Sequence, residues 1–444
     1  MVNLVEPTPH AGWGRTIFSR PRRIASSSDD FNSDSDGRGA IATGNLRSYG
    51  DSALNSNGVS ISTKFLKSIT FLENANLVCC GSGVTLGELE RAAIAKHKYP
   101  FVVPGTEYVT IGGAIAADIH GKSHHKVGSF CDHVARIRIL LANGDERDLF
   151  PEGSTRDWFR ATCAGLGLTG TILEADIKLK SIESSYISTK NLRFQSLAEL
   201  SDLLQTQDKL FQYSVAWIDI SGDYSGRGIL TLGNHSKRTE LTGFTGRSLF
   251  KASEPRKIRL FFSRGFNIIT PFTVRLFNSV WFNKPSFRKN VDVRKFMHPL
   301  DSVGNWNYLY GKPGFLQYQF VIPDNKFEFL DELLIMLREN RIASPMSVLK
   351  KLGPNSLGFL GFTQPGWSLA IDVPRNTPNL SDFLEYLDRR IIEMGGKVYL
   401  VKDSRLSQRV FRSMYEQFSE WKRIKMEMDP LGFWVSDQSR RLDL

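Results

Sequence analysis

The clearest indication of the fold is the stretch PGTEYVTIGGAIAADIHGKSHH, residues 104–125. It has glycines at positions 105, 112, 113 and 121, mostly small residues between the last three, and three histidines near its end. A second stretch of similar texture, ATGNLRSYGDSA, covers residues 42–53. Small residues let backbone amides approach a diphosphate closely, so two such loops beside strands predict a site for an extended cofactor, with Arg47 balancing its charge. Two ordinary tight turns are the alternative.

The size and composition of the chain are typical of a globular protein with two or three domains. It has 444 residues, of which 41% are hydrophobic and 23% are charged. No run reaches the roughly 18 apolar residues of a membrane-spanning helix, and the start of the chain lacks the apolar core of a secretory signal. The cysteines at positions 79, 80, 131 and 163 show neither a disulfide framework nor zinc spacing. We therefore expect buried free thiols and a reducing compartment.

The positive charge of the chain is concentrated in one segment. Residues 247–295 contain twelve Lys and Arg against two acidic residues, a net of +10, and the whole chain has a net charge of +11. The same segment holds large aromatic residues, among them Phe261, Phe262, Phe266, Trp281 and Phe282. Basic and large apolar residues together predict contact with an anionic membrane surface or a lipid phosphate. Single-stranded nucleic acid and a plain solvated basic face are the alternatives.

Strand-like and helix-like segments alternate along the chain and predict an α+β protein. TLGELERAAIAKH predicts a helix capped by Thr85, and VARIRILLANGDERDL predicts a hairpin that turns at Asn143 and Gly144. STRDWFRATCA predicts a short helix that starts at Ser154 or Thr155. After residue 190 the recurrence of strand, helix and strand predicts a second α+β domain built on a sheet. The tail QRVFRSMYEQFSEWKRIKMEMDP is predicted to be helical up to Pro430.

Two further motifs suggest cofactor or metal chemistry but fail on their context. GLGLTG, residues 165–170, has the G-x-G-x-x-G spacing, yet a helix is predicted before it and a strand after it, which is the reverse of a dinucleotide fingerprint. His120, His124 and His125, with Asp118, could ligate a metal ion. The glycines around them make a poor rigid frame for ligands, so no metal is predicted and the metal site stays a minor alternative.

The sequence resembles a known family. RSYGD together with PGTEYVTIGGAIAADIHGKSHH is similar to the FAD-binding half of the vanillyl-alcohol-oxidase type flavoenzymes. GWGRT at 12–16, HPLDSVGNWNYLYGKPGFLQYQFVIP at 298–323, KDSR at 402–405 and DPLGFWVSDQSRRLDL at the end extend the resemblance, in order, to the subfamily of polyprenyl-phosphoryl-ribose oxidases. Residues 190–295 match less clearly.

The resemblance implies an α+β fold with three parts. A two-subdomain FAD-binding domain would cover residues 1–185. An α+β substrate-binding domain with an antiparallel sheet would cover residues 186–405, and would include the basic and aromatic membrane-facing segment 247–295. Residues 406–444 would return to the FAD-binding domain.

The resemblance also implies which residues hold the cofactor. The flavin contacts of the family fall on Ala42, Thr43, Gly44, Asn45, Leu46, Arg47, Ser48, Tyr49, Gly50, Asp51, Ser52, Gly105, Thr110, Ile111, Gly112, Gly113, Ala117, Asp118, Ile119, His120, Ile172 and Tyr399. Members that attach flavin covalently often have a histidine where this chain has Tyr49. Non-covalent FAD is therefore expected.

The implied reaction is the FAD-dependent oxidation of the 2′-hydroxyl of polyprenyl-phosphoryl-β-D-ribose to the 2′-keto intermediate, the first half of epimerisation to the arabinose form. Lys402, Tyr49 and His120 are the expected catalytic residues. Lys402 is the expected proton acceptor, because a desolvated lysine can have a pKa low enough to accept a proton. Lys122, Gln317, Gln319 and Lys350 are the expected substrate residues. An oxidase of a soluble sugar, alditol or aldonolactone is the alternative.

The implied partners are an NAD(P)H-dependent short-chain reductase and, through the basic segment, a membrane surface; nucleic acid is not expected as a partner. The expected location is the cytoplasm, with peripheral attachment to the membrane, and the sequence leaves the periplasmic face open. One departure is Ala370, which stands where mycobacterial members have a cysteine. A hydride transfer needs no thiol there, but thiol-directed inhibition is not expected of this chain.

Overall fold

The computed structural model describes residues 9–25, 37–73, 76–221, 226–241, 249–250, 258–259, 268–284 and 290–444. Much of the basic segment 247–295 therefore lies outside the described residues, including Phe261, Phe262 and Phe266. The basic side chains of that segment that are described are Arg275, Lys284, Arg294 and Lys295. Within the described parts of the chain, no helix combines the length and the apolar character needed to cross a membrane.

The first part of the fold contains two small sheets. An antiparallel pair is formed by β1 (His10–Ala11) and β2 (Phe18–Ser19). A parallel sheet has the order β3-β5-β4 and consists of β3 (Arg23–Ala25), β4 (Ala40–Thr43) and β5 (Val59–Ser62). The first glycine-rich stretch leaves directly from the end of β4, so the sheet fixes where that loop starts.

A second, antiparallel sheet follows in the sequence, with the order β10-β9-β11-β7-β6 and β8 paired to β11. Its strands are β6 (Ile69–Phe71), β7 (Leu77–Gly81), β8 (Lys98–Pro100), β9 (Val134–Leu140), β10 (Glu146–Leu149) and β11 (Thr171–Ser181). The helices of this part are α1 (Leu86–Ile94), α2 (Ile111–Ala116), α3 (His124–Val127) and α4 (Arg156–Thr162). Apolar residues of the strands and helices share one core, which includes Val78, Leu89, Ile115, Ile137 and Ala175.

Local signals predicted these elements well. Thr85 caps α1 as predicted, and its side chain accepts a hydrogen bond from the Glu88 amide while Glu88 bonds back to the Thr85 amide. The β9–β10 hairpin is also confirmed, but its connection has five residues rather than two. The Leu141 amide donates to the Asp145 carbonyl and Gly144 adopts a φ of 87°, which together close a longer loop.

The largest sheet has eight strands, all antiparallel, in the order β16-β12-β14-β13-β19-β20-β18-β21. Its strands are β12 (Tyr186–Phe194), β13 (Tyr213–Ile218), β14 (Gly228–His235), β16 (Asn290–Asp292), β18 (Phe315–Pro323), β19 (Ser347–Leu352), β20 (Gly366–Pro374) and β21 (Lys397–Val398). A separate parallel pair consists of β15 (Ile258–Arg259) and β17 (Val303–Gly304). The antiparallel sheet predicted for this part of the chain is thus present.

Helices cover one face of this sheet and border the other. They are α5 (Leu197–Gln207), α6 (Pro271–Asn283), α7 (Val293–Met297), α8 (Phe329–Glu339) and α9 (Leu380–Glu393). Short 3₁₀ helices lie at Cys131–His133, Gly153–Thr155, Asp208–Leu210, Arg238–Leu241, Pro299–Ser302, Trp306–Tyr310 and Asp324–Lys326. Phe320 and Leu369 of the sheet share an apolar core with Leu333 of α8 and Leu387 of α9. The opposite face is left for the cavity described below.

The tail is helical, as predicted, and forms α10 (Gln408–Met414) and α11 (Phe418–Met428), followed by α12 (Asp437–Leu442). The first two helices are separate because Tyr415 leaves the helical conformation, with a φ of −119°, and its buried hydroxyl donates to the Val398 carbonyl. The chain then returns to the first part of the fold, where Arg441 pairs with Asp51 at 2.8 Å and Asp403 at 2.9 Å. The domain boundaries at residues 185 and 405 stay a prediction.

Replacing Arg441 with Ala is expected to destabilise the fold strongly. The change leaves the buried carboxylates of Asp51 and Asp403 without their shared cation, and we expect the free energy of unfolding to fall by about 3–5 kcal/mol. The matched control is Arg412→Ala, because Arg412 pairs with Asp443 on the surface and should contribute about 1 kcal/mol or less. Urea unfolding followed by tryptophan fluorescence measures both, and equal losses would contradict the prediction.

Candidate functional site

A cavity of about 1590 Å³ lies between the glycine-rich loops and the free face of the eight-stranded sheet. Ligand pockets usually measure roughly 300–1,000 Å³, so this cavity has room for a large cofactor together with a substrate. Both glycine-rich stretches, the turn at 166–172 and alternate residues of several sheet strands contribute to its wall. Residues far apart in the sequence therefore meet around one space.

The loop after β4 presents unpaired backbone amides to this cavity. Within the described parts of the chain, the amides of residues 44–48 donate no hydrogen bond, although all five residues line the cavity. Leu46 has a φ of 50°, so neighbouring amides converge in the manner of an anion-binding nest. A Cβ on Gly44 would come within 2.3 Å of Thr110 Oγ1, which explains why a glycine is needed where the two loops touch.

Arg47 supplies positive charge beside these amides. Its Cζ lies 4.2 Å from the ring centroid of Trp13 and 5.0 Å from that of Tyr108, so the guanidinium is held between two aromatic rings. Burial lowers its pKa, and its Nε is buried without a hydrogen-bond partner in the described residues. Free amides next to an unsatisfied guanidinium fit a diphosphate, and thus the extended cofactor predicted from the sequence.

The second glycine-rich loop lines the cavity with its surface, because its first backbone amides already have hydrogen-bond partners in the protein. Thr110 caps α2, and the amides of Ile111 and Gly112 already donate to the carbonyls of Val84 (2.8 Å) and Ser82 (2.9 Å). The loop is therefore rigidly attached to the core of the protein. Its small residues leave space above it, so a flat ring system can lie against it.

The floor of the cavity is one face of the large sheet. In the register of β18, β20 and β19, Gln317 pairs with Asp372, Gln319 with Ala370, and Lys350 with Ser368. Side chains alternate between faces along a strand and directly paired residues share a face. The sheet thus presents polar side chains in ordered rows to the space above the glycine-rich loops.

Lys402 is the central cation of the site. Its Nζ lies 3.6 Å from the ring centroid of Tyr49, which is a close cation–π contact. Desolvation lowers the pKa of Lys402 to about 7, although Asp372 acts in the opposite direction. At neutral pH a fraction of this amine is therefore unprotonated and able to accept a proton. Desolvation also raises the pKa of Tyr49 well above its usual value, so the phenol stays neutral.

Asp372 is a functional candidate that the sequence reasoning missed. It is fully buried behind the cavity wall, and its Oδ1 accepts a hydrogen bond of 2.5 Å from Gln317 Nε2. Burial raises its pKa to about 7, opposed by the Gln317 hydrogen bond and the charge of Lys402. The alternation of Ser368, Ala370 and Asp372 along SLAIDVP places these three residues on one face of their strand, but only the register of β20 against β18 brings Asp372 beside Gln317.

His120 and two further lysines complete the polar wall. Gln319 Nε2 lies 2.9 Å from His120 Nε2, which leaves the buried His120 Nδ1 without a partner in the described residues. Desolvation, followed by the charge of Lys350, lowers the pKa of His120 well below its usual value, so the ring is neutral. Desolvation also lowers the pKa of Lys122 to about 7 and that of Lys350 to about 8. Lys122 Nζ donates to the Met297 carbonyl at 2.8 Å.

His124 and His125, which had no predicted role, are held by the protein itself. His124 Nδ1 accepts a hydrogen bond from the Gly353 amide at 2.9 Å, and desolvation lowers the pKa of His124 to about 3. His125 Nε2 lies 3.4 Å from Asp208 Oδ1. In the described ranges, no three His, Cys, Asp or Glu side chains come together in a way that could hold a metal ion.

Most of the predicted cofactor residues are brought together by the fold. Those that line the cavity are Ala42, Thr43, Gly44, Asn45, Leu46, Arg47, Ser48, Tyr49, Ser52, Gly105, Thr110, Gly112, Gly113, Ala117, Ile119, His120, Ile172 and Tyr399. Lys122, Gln317, Gln319, Lys350 and Lys402 line it as well. The roles of these residues stay predictions.

Four predicted cofactor residues are not part of the cavity wall. Gly50 lies against the backbone of Asp403, and Asp51 pairs with Arg441. Ile111 is fully buried in the core, and the Asp118 carboxylate accepts a hydrogen bond from the Cys131 amide. These four residues contact the body of the protein on the side of the loops that faces away from the cavity.

The GLGLTG turn follows α4 and leads into β11, so its context excludes a dinucleotide fingerprint, as predicted from the sequence. It nevertheless belongs to the cavity wall, because Leu166, Gly167 and Gly170 line it. Ala370 lies in the wall between Gln319 and Val348 of the neighbouring strands. The four cysteines do not line the cavity, so it has no thiol.

The sequence profile of the FAD binding domain family matches residues 34–149 of this chain. The matched residues include both glycine-rich loops, with the unpaired amides of residues 44–48 and the Arg47 guanidinium. The cofactor of this chain is FAD, and the residues around the amide nest fit its diphosphate.

Replacing Arg47 with Met is expected to weaken FAD binding. The change removes the cation but keeps an apolar side chain between Trp13 and Tyr108, and the loss of a charge-assisted hydrogen bond should raise the Kd by about 10- to 100-fold. The matched control is Arg15→Met, because Arg15 also stacks on a ring, that of Tyr308, but does not line the cavity. Titration of the apoprotein, followed by flavin fluorescence, measures both variants. An unchanged Kd for Arg47→Met would contradict the assignment.

The chain is similar to two curated proteins over most of its length and to a third over a short stretch. It is 36% identical to the decaprenylphosphoryl-β-D-ribose oxidase of Mycolicibacterium smegmatis, over 98% of this chain and 97% of that protein. It is 27% identical to an uncharacterised protein of Streptomyces coelicolor, over 81% of this chain and all of that protein. A match of 33% to the D-lactate dehydrogenase of Archaeoglobus fulgidus covers 20% of each chain. The chain belongs to the decaprenylphosphoryl-β-D-ribose oxidase family of FAD-dependent oxidoreductases.

Proposed function

We propose that the chain oxidises the 2′-hydroxyl of a polyprenyl-phosphoryl-β-D-ribose to the 2′-ketone, the first half of epimerisation to the arabinose form. The observation that carries this proposal is the cluster of Lys122, Lys350 and Lys402 around the same cavity as the FAD loops. Such a site suits a substrate that has both an anionic group and an oxidisable alcohol. The name of the relative from Mycolicibacterium smegmatis supports the same substrate.

Oxidation of a secondary alcohol requires the loss of a hydride from carbon and a proton from oxygen. Bound FAD supplies the hydride acceptor. Lys402 takes the hydroxyl proton on Nζ, because its lowered pKa leaves part of the amine unprotonated at neutral pH. Asp372, held by Gln317, stabilises the ammonium that results. Tyr49 fixes the position of the amine through its ring.

The substrate phosphate binds to Lys122 and Lys350. Both amines are half-buried in the cavity wall, and desolvation lowers the pKa of each of them. A phosphate restores the favourable interaction that desolvation removes, so both lysines are protonated when it is bound. The two point charges then set which end of the ribose faces Lys402.

The sugar is oriented by the polar groups that remain in the wall. Gln319 and Gln317 alternate on β18 and face the cavity with His120. Because Gln319 occupies His120 Nε2, the unpaired Nδ1 is free to contact a ligand. These groups offer hydrogen bonds to ring hydroxyls, whereas Lys402 is reserved for the reacting one.

The prenyl chain occupies one arm of the cavity, which we call the apolar arm after its large side chains Val215, Trp217, Ile229, Phe277 and Trp281. The first three residues continue the same sheet face beyond Val348 and Lys350. The other two come from α6. The same arm also contains a few polar residues, Thr189, Asn191, Arg193 and Thr231. A free sugar has no use for such an arm, so the arm favours a lipid-linked substrate over the alternative of a soluble sugar, alditol or aldonolactone.

The product and the lipid together define the partners. A 2′-ketone becomes the arabinose form when a second enzyme delivers hydride to the same carbon, so the partner is an NAD(P)H-dependent short-chain reductase. The lipid stays in a membrane, and the chain therefore works as a peripheral protein at a membrane surface. The basic segment 247–295 suits an anionic surface of this kind.

Replacing Lys402 with Ala is expected to slow reduction of the bound flavin by about 100-fold or more, because the proton acceptor is lost. The measurement is anaerobic mixing of the FAD-loaded enzyme with a polyprenyl-phosphoryl ribose, followed by bleaching of the flavin absorbance. The matched control is Lys397→Ala, which removes a half-buried lysine of β21 that does not line the cavity.

Wild type should bleach with lipid-linked ribose and not with free ribose. Equal rates for the two sugars would favour the soluble-sugar alternative. Equal rates for Lys402→Ala and wild type would remove Lys402 from the mechanism.

Replacing Asp372 with Asn is expected to shift the pH dependence of flavin reduction to lower pH. The rate should rise with pH as Lys402 loses its proton, with a midpoint near its pKa of about 7. The Asp372 carboxylate raises the pKa of Lys402, so its removal should move the midpoint of this rise down by roughly one pH unit or more. The asparagine side chain keeps an oxygen to which Gln317 can donate. The control is Asp324→Asn, which removes an exposed carboxylate and should leave the midpoint unchanged. A midpoint that moves to higher pH in Asp372→Asn would refute the electrostatic coupling of Asp372 to Lys402.

A further inference from the structure

One face of helix α6 is buried and is held by the segment that follows β13. Val274, Asn278 and Phe282 are buried and recur every four residues. Asn278 Nδ2 donates to Asp219 Oδ1 at 2.7 Å and to Ser221 Oγ at 3.1 Å. A buried amide held by a carboxylate fixes both the position and the rotation of the helix.

The opposite face of α6 is apolar and exposed. Phe272, Leu276 and Val280 also recur every four residues, and 76%, 60% and 65% of their surfaces are exposed. Soluble proteins rarely expose such a continuous stripe of large side chains without a partner that covers it. Because the buried face fixes the rotation of the helix, this stripe points away from the protein.

The charge of the helix indicates what covers the stripe. The sequence from 271 to 284 contains Arg275 and Lys284, both exposed, and no acidic residue. The surrounding segment 247–295 has a net charge of +10. An apolar stripe flanked by basic residues suits the interface of an anionic lipid bilayer.

A third face of α6 connects this surface with the cavity. Phe277 and Trp281 stack with their ring centroids 6.0 Å apart, line the apolar arm, and are still 47% and 41% exposed. Lys284 Nζ lies 5.1 Å from the Trp281 ring centroid. The same helix therefore carries the exposed stripe and the rim of the cavity.

We propose that α6 docks the protein on an anionic membrane, with Phe272, Leu276 and Val280 in the acyl boundary, and that the Phe277–Trp281 pair leads the prenyl chain from the membrane into the apolar arm. The docking rests on the exposed stripe of α6 and on the basic charge of the segment around it, and it does not depend on the proposed reaction. The route for the chain rests on the proposed function as well.

The docking is tested with the double variant Leu276→Gln and Val280→Gln in the full, FAD-loaded protein. Sedimentation with vesicles of phosphatidylcholine and phosphatidylglycerol measures the bound fraction. The variant should lose about tenfold or more in partition, because it removes most of the inserted apolar surface. The matched control is Leu431→Gln, since Leu431 is 90% exposed and lies outside α6. Wild-type partition for the double variant, or an equal loss for Leu431→Gln, would overturn the proposal.

The route is tested separately, through flavin reduction. A water-soluble, short-chain prenyl-phosphoryl ribose should reduce the double variant as fast as wild type, because neither substituted residue lines the cavity. A long-chain substrate in vesicles should show a several-fold higher KM for the double variant, and an unchanged KM would overturn the route. Should the short-chain substrate fail to reduce even the wild type, the proposed function fails, while the vesicle result still decides the docking.

Discussion

The enclosure of three lysines around one cavity is the constraint on which the arrangement of the site depends. Desolvation lowers the pKa values of Lys122, Lys350 and Lys402 to about 7, 8 and 7. Holding cations away from bulk water costs free energy, which an anionic ligand recovers when it binds. The three lysines come from the second glycine-rich loop, from β19 and from the turn after β21. The cluster therefore forms only when the second glycine-rich loop is in place against the eight-stranded sheet, so it depends on contacts between distant parts of the chain.

Local chemistry made much of the fold predictable. The Thr85 cap, the β9–β10 hairpin and the helical tail follow from side chains that act within a few residues of one another. The position of the cofactor cavity was also predictable, because small residues beside strands let backbone amides approach a diphosphate closely. The resemblance to a flavoenzyme family then pointed to residues that the fold does bring to one cavity, and the sequence comparisons established the family.

What could not be predicted depends on contacts between distant strands. Asp372 joins the site because β20 lies next to β18 in a register that pairs it with Gln317, and nothing in the sequence near Asp372 encodes that pairing. The same applies to the GLGLTG turn, whose local context excluded a fingerprint but not a place in the wall. Helix α6 has three faces with three different roles. The periodicity of its sequence separates apolar from polar positions, but it does not show which apolar stripe is exposed and which is buried.

The most direct test of the central claim is a kinetic isotope effect on anaerobic flavin reduction. Polyprenyl-phosphoryl ribose with deuterium at C2′ should bleach the flavin several-fold more slowly than the unlabelled substrate, because the C2′–H bond breaks as the flavin is reduced. Deuterium at C3′ should have no such effect. An isotope effect at C3′, with none at C2′, would contradict the assignment of the reaction to the 2′-hydroxyl.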